Sequence, residues 1–106
     1  MANKQNTLIV DRVKQATSYQ TNKKALRESI DAELHVTYNG GLFYVTPALI
    51  AFLNAWEEED MFLEDTYNNP VSVKRSELFK LAVQRYQSVM NDWHVQHQEL
   101  KSVRKV

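Results

Sequence analysis

From residue 8 onward the chain switches between two apolar spacings, and each change of period marks an element. Leu8, Ile9, Val13 and Ala16 recur at the intervals that line one face of an α-helix. The run thins near Thr17 and Ser18. Thr21 or Asn22 is then a suitable cap for a second stretch bearing Ala25, Leu26, Ile30 and Leu34 on one side. This pattern fits two short helices or one fused helix, and leaves both open. The residues of 35–38 and 42–45 are β-prone and flank Asn39-Gly40-Gly41. Asn-Gly between two such runs predicts a hairpin with positive φ at Gly40 or Gly41.

Thr46-Pro47 opens the next helix, Thr as N-cap and Pro in the first turn, where no amide donor is missed. That helix is expected over about residues 47–58, burying Leu49, Ile50, Phe52, Leu53 and Trp56. A second hairpin is predicted from residues 61–65, the turn Tyr67-Asn68-Asn69-Pro70, and Val71-Ser72-Val73. Ser76 is the expected cap of a final helix that meets neither Gly nor Pro before Arg104.

Thr37-Tyr38-Asn39 recurs 29 residues later as Thr66-Tyr67-Asn68. The same offset aligns Leu34 with Leu63, Leu42 and Tyr44 with Val71 and Val73, and Leu49 with Leu78. These matches read as a duplicated ββα unit that closes a core by packing on its copy. The competing explanation is that turn chemistry is repetitive. The fold class is therefore α+β: an N-terminal helix or helices, two antiparallel hairpins able to join in a four-stranded sheet, and a long C-terminal helix. The expected core is Leu26, Ile30, Leu34, Leu42, Tyr44, Leu49, Phe52, Leu53, Phe62, Leu63, Val71, Val73, Leu78 and Phe79. Residues 1–106 form one domain, with 1–7 polar and expected to fray.

The final helix carries the most informative pattern. Phe79, Ala82, Tyr86, Val89, Trp93, Gln96, Leu100 and Val103 follow the alternating spacing of a coiled-coil seam, and Leu78, Leu81 and Met90 add a second flank. Roughly 27 residues of helix run about 40 Å, longer than a domain of this size is wide. The part from about residue 93 onward is therefore expected to project or to pack on a partner. Tyr86, Val89, Trp93, Gln96, Leu100 and Val103 are the candidate interface, with Gln96 as a polar break of the kind that fixes register. Within a single chain, the alternative is that the N-terminal helix folds back and covers this face.

Composition narrows the functions. At 106 residues there is room for one core, and two Gly and two Pro exclude long flexible linkers. Formal net charge is zero, which argues against coating nucleic acid as the main task. That total hides an unequal distribution: residues 1–56 carry +2, residues 57–65 carry six acids and no base, and residues 66–106 carry +4. Cysteine is absent, so disulfides, thiolate chemistry and Cys-based zinc sites are excluded. No apolar stretch is long enough to span a bilayer, and the polar first residues lack the apolar region of a signal peptide. The expectation is a cytoplasmic chain with no membrane partner.

Candidate chemistry is sparse. His94 and His97 share a helix face, yet two imidazoles do not hold zinc, His35 is distant in sequence, and no suitably spaced carboxylate completes a set. The acidic residues Glu57, Glu58, Glu59, Asp60, Glu64 and Asp65 lack the spacing and glycine of a calcium loop. Acids at a helix C-terminus oppose its dipole, so a counter-charge from Lys74, Arg75 or the basic N-terminal helix is expected. The chain shows no phosphate-cradling loop and no nucleophile motif. No catalytic residue, cofactor or metal is assigned. The reading is a non-enzymatic protein-binding or assembly protein, a homodimer or higher homo-oligomer formed through the last helix. Two rivals stand beside it: a nucleic-acid accessory protein using Lys23, Lys24, Lys101, Arg104 and Lys105, and a small-ligand or enzymatic domain with a pocket between sheet and helix.

The stretch Leu63-Glu64-Asp65-Thr66-Tyr67-Asn68-Asn69-Pro70-Val71, together with Met90-Asn91-Asp92-Trp93-His94 and Glu99-Leu100-Lys101, resembles small uncharacterised proteins of T4-like tailed phages of the cyanophage type. The resemblance covers the C-terminal half and contains no motif of assigned chemistry. It implies a host-cytoplasmic setting, a phage or host protein as partner, and a role in assembly, host takeover or defence evasion.

Overall fold

The computed structural model describes residues 4–104, and the side chains of 12–14 and 16–102. Helix α1 (Lys4–Glu33) leads into a hairpin of β1 (His35–Tyr38) and β2 (Gly41–Tyr44), then helix α2 (Pro47–Ala55). A second hairpin, β3 (Asp60–Glu64) and β4 (Pro70–Lys74), leads into helix α3 (Arg75–Arg104). The fold is α+β as the periodicities predict. Between its two outcomes for the N-terminus, the structure takes the fused one: a single helix runs through Thr17–Asn22, which contains no Gly or Pro to stop it.

The molecule is a head on a stalk. It measures 73 × 24 × 19 Å with a radius of gyration of 20.6 Å, against about 13 Å for a compact domain of this length. Each long helix has 30 residues, or about 45 Å. The head core comprises Val36, Phe43, Val45, Leu53, Val71, Val73, Leu78 and Ala82. A smaller core, Ile30 and Leu34 of the α1 end with Val89 of α3, lies where the two helices leave the head side by side.

Turn chemistry sets the strand faces. Asn39 and Gly40 form the two-residue turn with φ of 47° and 83°, so Tyr38 pairs with Gly41 and Val36 with Phe43. Gly41, Phe43 and Val45 then face the core, and Tyr44 faces out, 41% exposed. This corrects the expected Leu42–Tyr44 face by one residue, which in a strand reverses every side chain. Phe62 is likewise 76% exposed, because the inward side of β3 belongs to Met61 and Leu63 and alternate residues point oppositely. Gly41 is required for space and not for φ: a Cβ there would lie 2.7 Å from Val71 Cγ2.

The hairpins do not merge into one four-stranded sheet; they form two two-stranded sheets. Each closes the other's open edge. Leu42 donates its amide to Asp65 Oδ2 at 3.1 Å and accepts at its carbonyl from the Thr66 amide at 2.8 Å. In return, the Asn39 amide group donates to the Ser72 carbonyl at 2.8 Å, and Lys74 N donates to the Tyr38 hydroxyl at 3.3 Å. Asp65 Oδ1 also accepts from the amides of Tyr67 and Asn69, at 3.0 and 2.9 Å, and so shapes its own loop.

Two ββα units are present in chain order, but Tyr38 and Tyr67 are not equivalent. Tyr38 lies on β1, while Tyr67 sits 69% exposed in the loop between β3 and β4. The longer second loop also shifts strand faces, setting buried Val73 against exposed Tyr44 at the repeat offset.

Helix ends and their neighbours account for two of the six acids in 57–65, Glu59 and Asp60. Thr46 caps α2, its hydroxyl accepting from Leu49 N at 3.1 Å, with Pro47 in the first turn. α2 stops at Ala55 and not near residue 58, leaving Trp56 as an extended cap. α3 begins at Arg75, one residue before the expected Ser76 cap. The capping acceptor comes instead from Glu59, whose Oε1 takes hydrogen bonds from the Ser76 amide and hydroxyl. A carboxylate is favoured there by the positive end of the helix dipole. Reciprocally, Arg75 Nη1 donates 2.8 Å to the Leu53 carbonyl at the negative end of α2. Asp60 pairs with Lys74 at 2.8 Å and Glu59 with Arg75 at 3.7 Å, the counter-charges expected.

The Asn69 amide, together with those of Leu42 and Tyr67, holds the Asp65 carboxyl below the usual carboxylate range against the opposing cost of desolvation. The hydroxyl and amide of Ser76 do the same for Glu59. Both groups thus contribute stability that is complete above the ordinary carboxyl pKa of about 4 and is lost as pH falls through their lower folded values. Acid titration of wild type followed by circular dichroism should show this loss, and Asp65→Asn should flatten it. Asp65→Ala should melt below Asp65→Asn, because Asn retains one oxygen for the loop amides while only its connection to Leu42 is broken. Gly41→Ala should lower unfolding free energy by about 1–3 kcal/mol through overpacking on Val71, measured by urea denaturation; an unchanged midpoint would refute the close approach.

Candidate interaction surfaces

The face proposed for a partner is, near the head, already covered by the chain itself. Val89 is only 3% exposed, against Ile30 and Leu34. Tyr86 touches both cores. Trp93 is half-buried, with the Arg27 guanidinium 4.9 Å above its ring. Arg27 also pairs with Asp31 at 3.2 Å, and Asp31 accepts from the Tyr44 hydroxyl at 3.1 Å. His35 stacks on Tyr44 with centroids 5.0 Å apart, its Nδ1 donating to the Ala32 carbonyl at 3.0 Å. A continuous relay thus ties the first hairpin to the stalk. Of the six candidate interface residues, Tyr86, Val89 and Trp93 serve this intrachain seam. The side chain of Val103 lies outside the described residues.

Gln96 and Leu100 are placed differently. With Asn22, Leu26 and Glu99 they line an open groove of about 270 Å³ between α1 and α3. Beyond Ile30 on α1 and Val89 on α3, no side chain among the described residues is fully buried. Tyr19, Leu26, Met90, Trp93, His97 and Leu100 are half-buried, and the other described side chains of the stalk are solvent-facing apart from Asp31. Val13 and Val95 are 59% and 56% exposed.

A second surface lies on α2, where Phe52 and Trp56, expected to be buried, are exposed. Leu49, Ile50 and Leu53 face inward from α2, leaving Phe52 at 37% and Trp56 at 45% exposure. Their rings stack at 5.2 Å. Ala48, Ala51 and Ala55 lie exposed on the same helix, and no residue of α2 is charged. The legible signal was the absence of any charge from Pro47 to Ala55: an uncharged helix whose only strongly polar side chain is Asn54 cannot bury every apolar side against a head this small.

His94 and His97 find no third ligand; no group of three potential metal ligands occurs among the described residues. None of the described helices is long and apolar enough to cross a membrane. No family model, curated protein or solved structure matches the chain.

Because Trp93 packs on the chain's own α1, Trp93→Ala should lower stability by about 2 kcal/mol at every protein concentration. Chemical denaturation at two widely separated concentrations checks this. A loss that vanished on dilution would assign the ring to an intermolecular contact.

Proposed function

We propose that this is a non-enzymatic assembly protein that self-associates through its stalk. The observation that carries the proposal is that, among the described residues, no side chain beyond Ile30 and Val89 is fully buried, on two helices that continue well past that point. Long helices derive most of their stability from burying an apolar face, since isolated ones are marginal in water. Here the half-buried Leu26, Trp93 and Leu100 hold one side of such a face, and no described residue of the chain buries the other. A second stalk packed on the groove of Asn22, Leu26, Gln96, Glu99 and Leu100 would complete a four-helix bundle, the arrangement in which helical hairpins bury both flanks. Gln96 faces that groove, where an unpaired amide disfavours shifted registers.

The carrying part of the interface is therefore the distal end of α3 and the facing turns of α1, not the Tyr86–Val89 segment. Sedimentation of wild type over a wide concentration range should show a reversible dimer or higher oligomer. Leu100→Glu should weaken it at least about tenfold, or about 1.4 kcal/mol, because it sets a charge into the groove, with no change in the head's hydrogen-exchange protection. A wild type that stays monomeric at the highest concentration would end the proposal.

A further inference from the structure

The outward face of α2 is unlike the rest of the head surface. It presents Ala48, Ala51, Phe52 and Ala55 at the i, i+3, i+4, i+7 spacing of a buried helix stripe, yet all are exposed. Trp56 extends the stripe by stacking on Phe52. The chain then continues into Glu57 and Glu58, both exposed. The next two acids are neutralised, Glu59 by Arg75 and Asp60 by Lys74, whereas Glu57 and Glu58 have no ion pair among the described residues. An uncharged helix face with small residues at its centre thus ends in two unpaired carboxylates beside an exposed aromatic pair.

We infer that this face docks a short amphipathic helix of another protein whose apolar stripe ends in Lys or Arg. Small residues let a second helix approach closely, and the aromatics supply the anchors that dominate such interfaces. Carboxylates next to a Trp face attract ammonium and guanidinium groups by charge and by cation–π contact. Size argues for a single helix over a second copy of the head. Nine residues of α2 extend about 14 Å, a small footprint against the roughly 800 Å² per partner of a stable protein pair. Charge argues against a lipid surface, since Glu57 and Glu58 are repelled by anionic headgroups. The docking face lies on the head and does not depend on stalk pairing.

The test is fluorescence anisotropy of the full chain with synthetic peptides of about four helical turns, identical in their Leu/Ala stripe and ending in either Lys or Glu residues. The Lys-ended peptide is expected to bind at least about tenfold more tightly, a preference that shrinks as salt rises. Ala51→Arg, and separately Ala55→Arg, should abolish binding of both peptides. Glu57→Gln with Glu58→Gln should leave the peptides equal. Equal binding by wild type, no binding of either peptide, or binding indifferent to the alanine substitutions would each overturn the inference. So would a shift in the sedimentation of the chain alone caused by Ala51→Arg, since that would give the face to a second copy.

Discussion

A buried carboxylate decides how the two halves of the head meet. Asp65 is 7% exposed, and a carboxylate taken from water is costly unless its lone pairs are filled. Three backbone amides fill them, two from its own loop and one from Leu42 on the other hairpin. The Leu42 peptide presents edge groups that β1 leaves unpaired, and the loop takes both: the amide through Asp65, the carbonyl through Thr66. On the far side, Asn39 and Tyr38 occupy the edge of β4 at Ser72 and Lys74. Four-residue and five-residue strands are too short to stand as isolated hairpins. Here they stand because each turn region hydrogen-bonds one outer edge of the other hairpin, at Leu42 on β2 and at Ser72 and Lys74 on β4, which blunts those two edges as templates for strand addition.

The same economy appears in α3, which is shared by both cores. Leu78 and Ala82 complete the head, Val89 completes the junction, and Tyr86 belongs to both. The helix is fixed at its start by Glu59 on the amides of Arg75 and Ser76 and by Arg75 on the Leu53 carbonyl of α2. α1 is fixed at its end: Val45 N donates 2.8 Å to the Leu34 carbonyl, and Tyr44, Asp31, Arg27 and Trp93 link in series. Both long helices are therefore anchored at the head, and their described side chains are less buried away from it. Local stability follows buried contact density, so the stalk is strongest at Val89 and weakest where a partner is proposed to complete it.

Much of this was readable in the chain because local chemistry and the final structure agree. Asn39-Gly40, Thr46-Pro47 and the unbroken run after Arg75 each specify a turn, a cap and a helix by backbone preference alone. The faces of the strands were not readable in the same way. In 42–45 every residue is apolar, so alternation carries no signal, and register was set by the length of a turn and by Val71 pressing on Gly41. The same lack of contrast hid the outer face of α2, where no charge marks the solvent side. The seam of α3 was visible as a seam, but not what fills it. An intrachain helix and a partner's helix demand the same residues at the same spacing, and only the position of α1 distinguishes them. Asp65 was legible as an acid in a turn, while its burial depends on a hairpin 23 residues earlier.

Placing the two proposed surfaces at opposite ends gives the elongated shape a physical use. The long axis is 73 Å, so a bundle formed at the distal stalk leaves every head unobstructed. Each copy then presents one uncharged α2 face with its two free carboxylates. A short helix docked on one such face would bind weakly, since few contacts must offset the loss of translational freedom on association. A ligand carrying two such helices meets a different situation on the paired stalk, because its second helix binds within one molecule at an effective concentration set by the spacing of the heads. That raises avidity by roughly 10²–10⁴ over a single contact without any new one. The proposed self-association through a thin stalk and the proposed apolar site on the head would thus be complementary: oligomerisation would convert a footprint too small for tight binding into a selective one, and only for partners whose own helices are repeated.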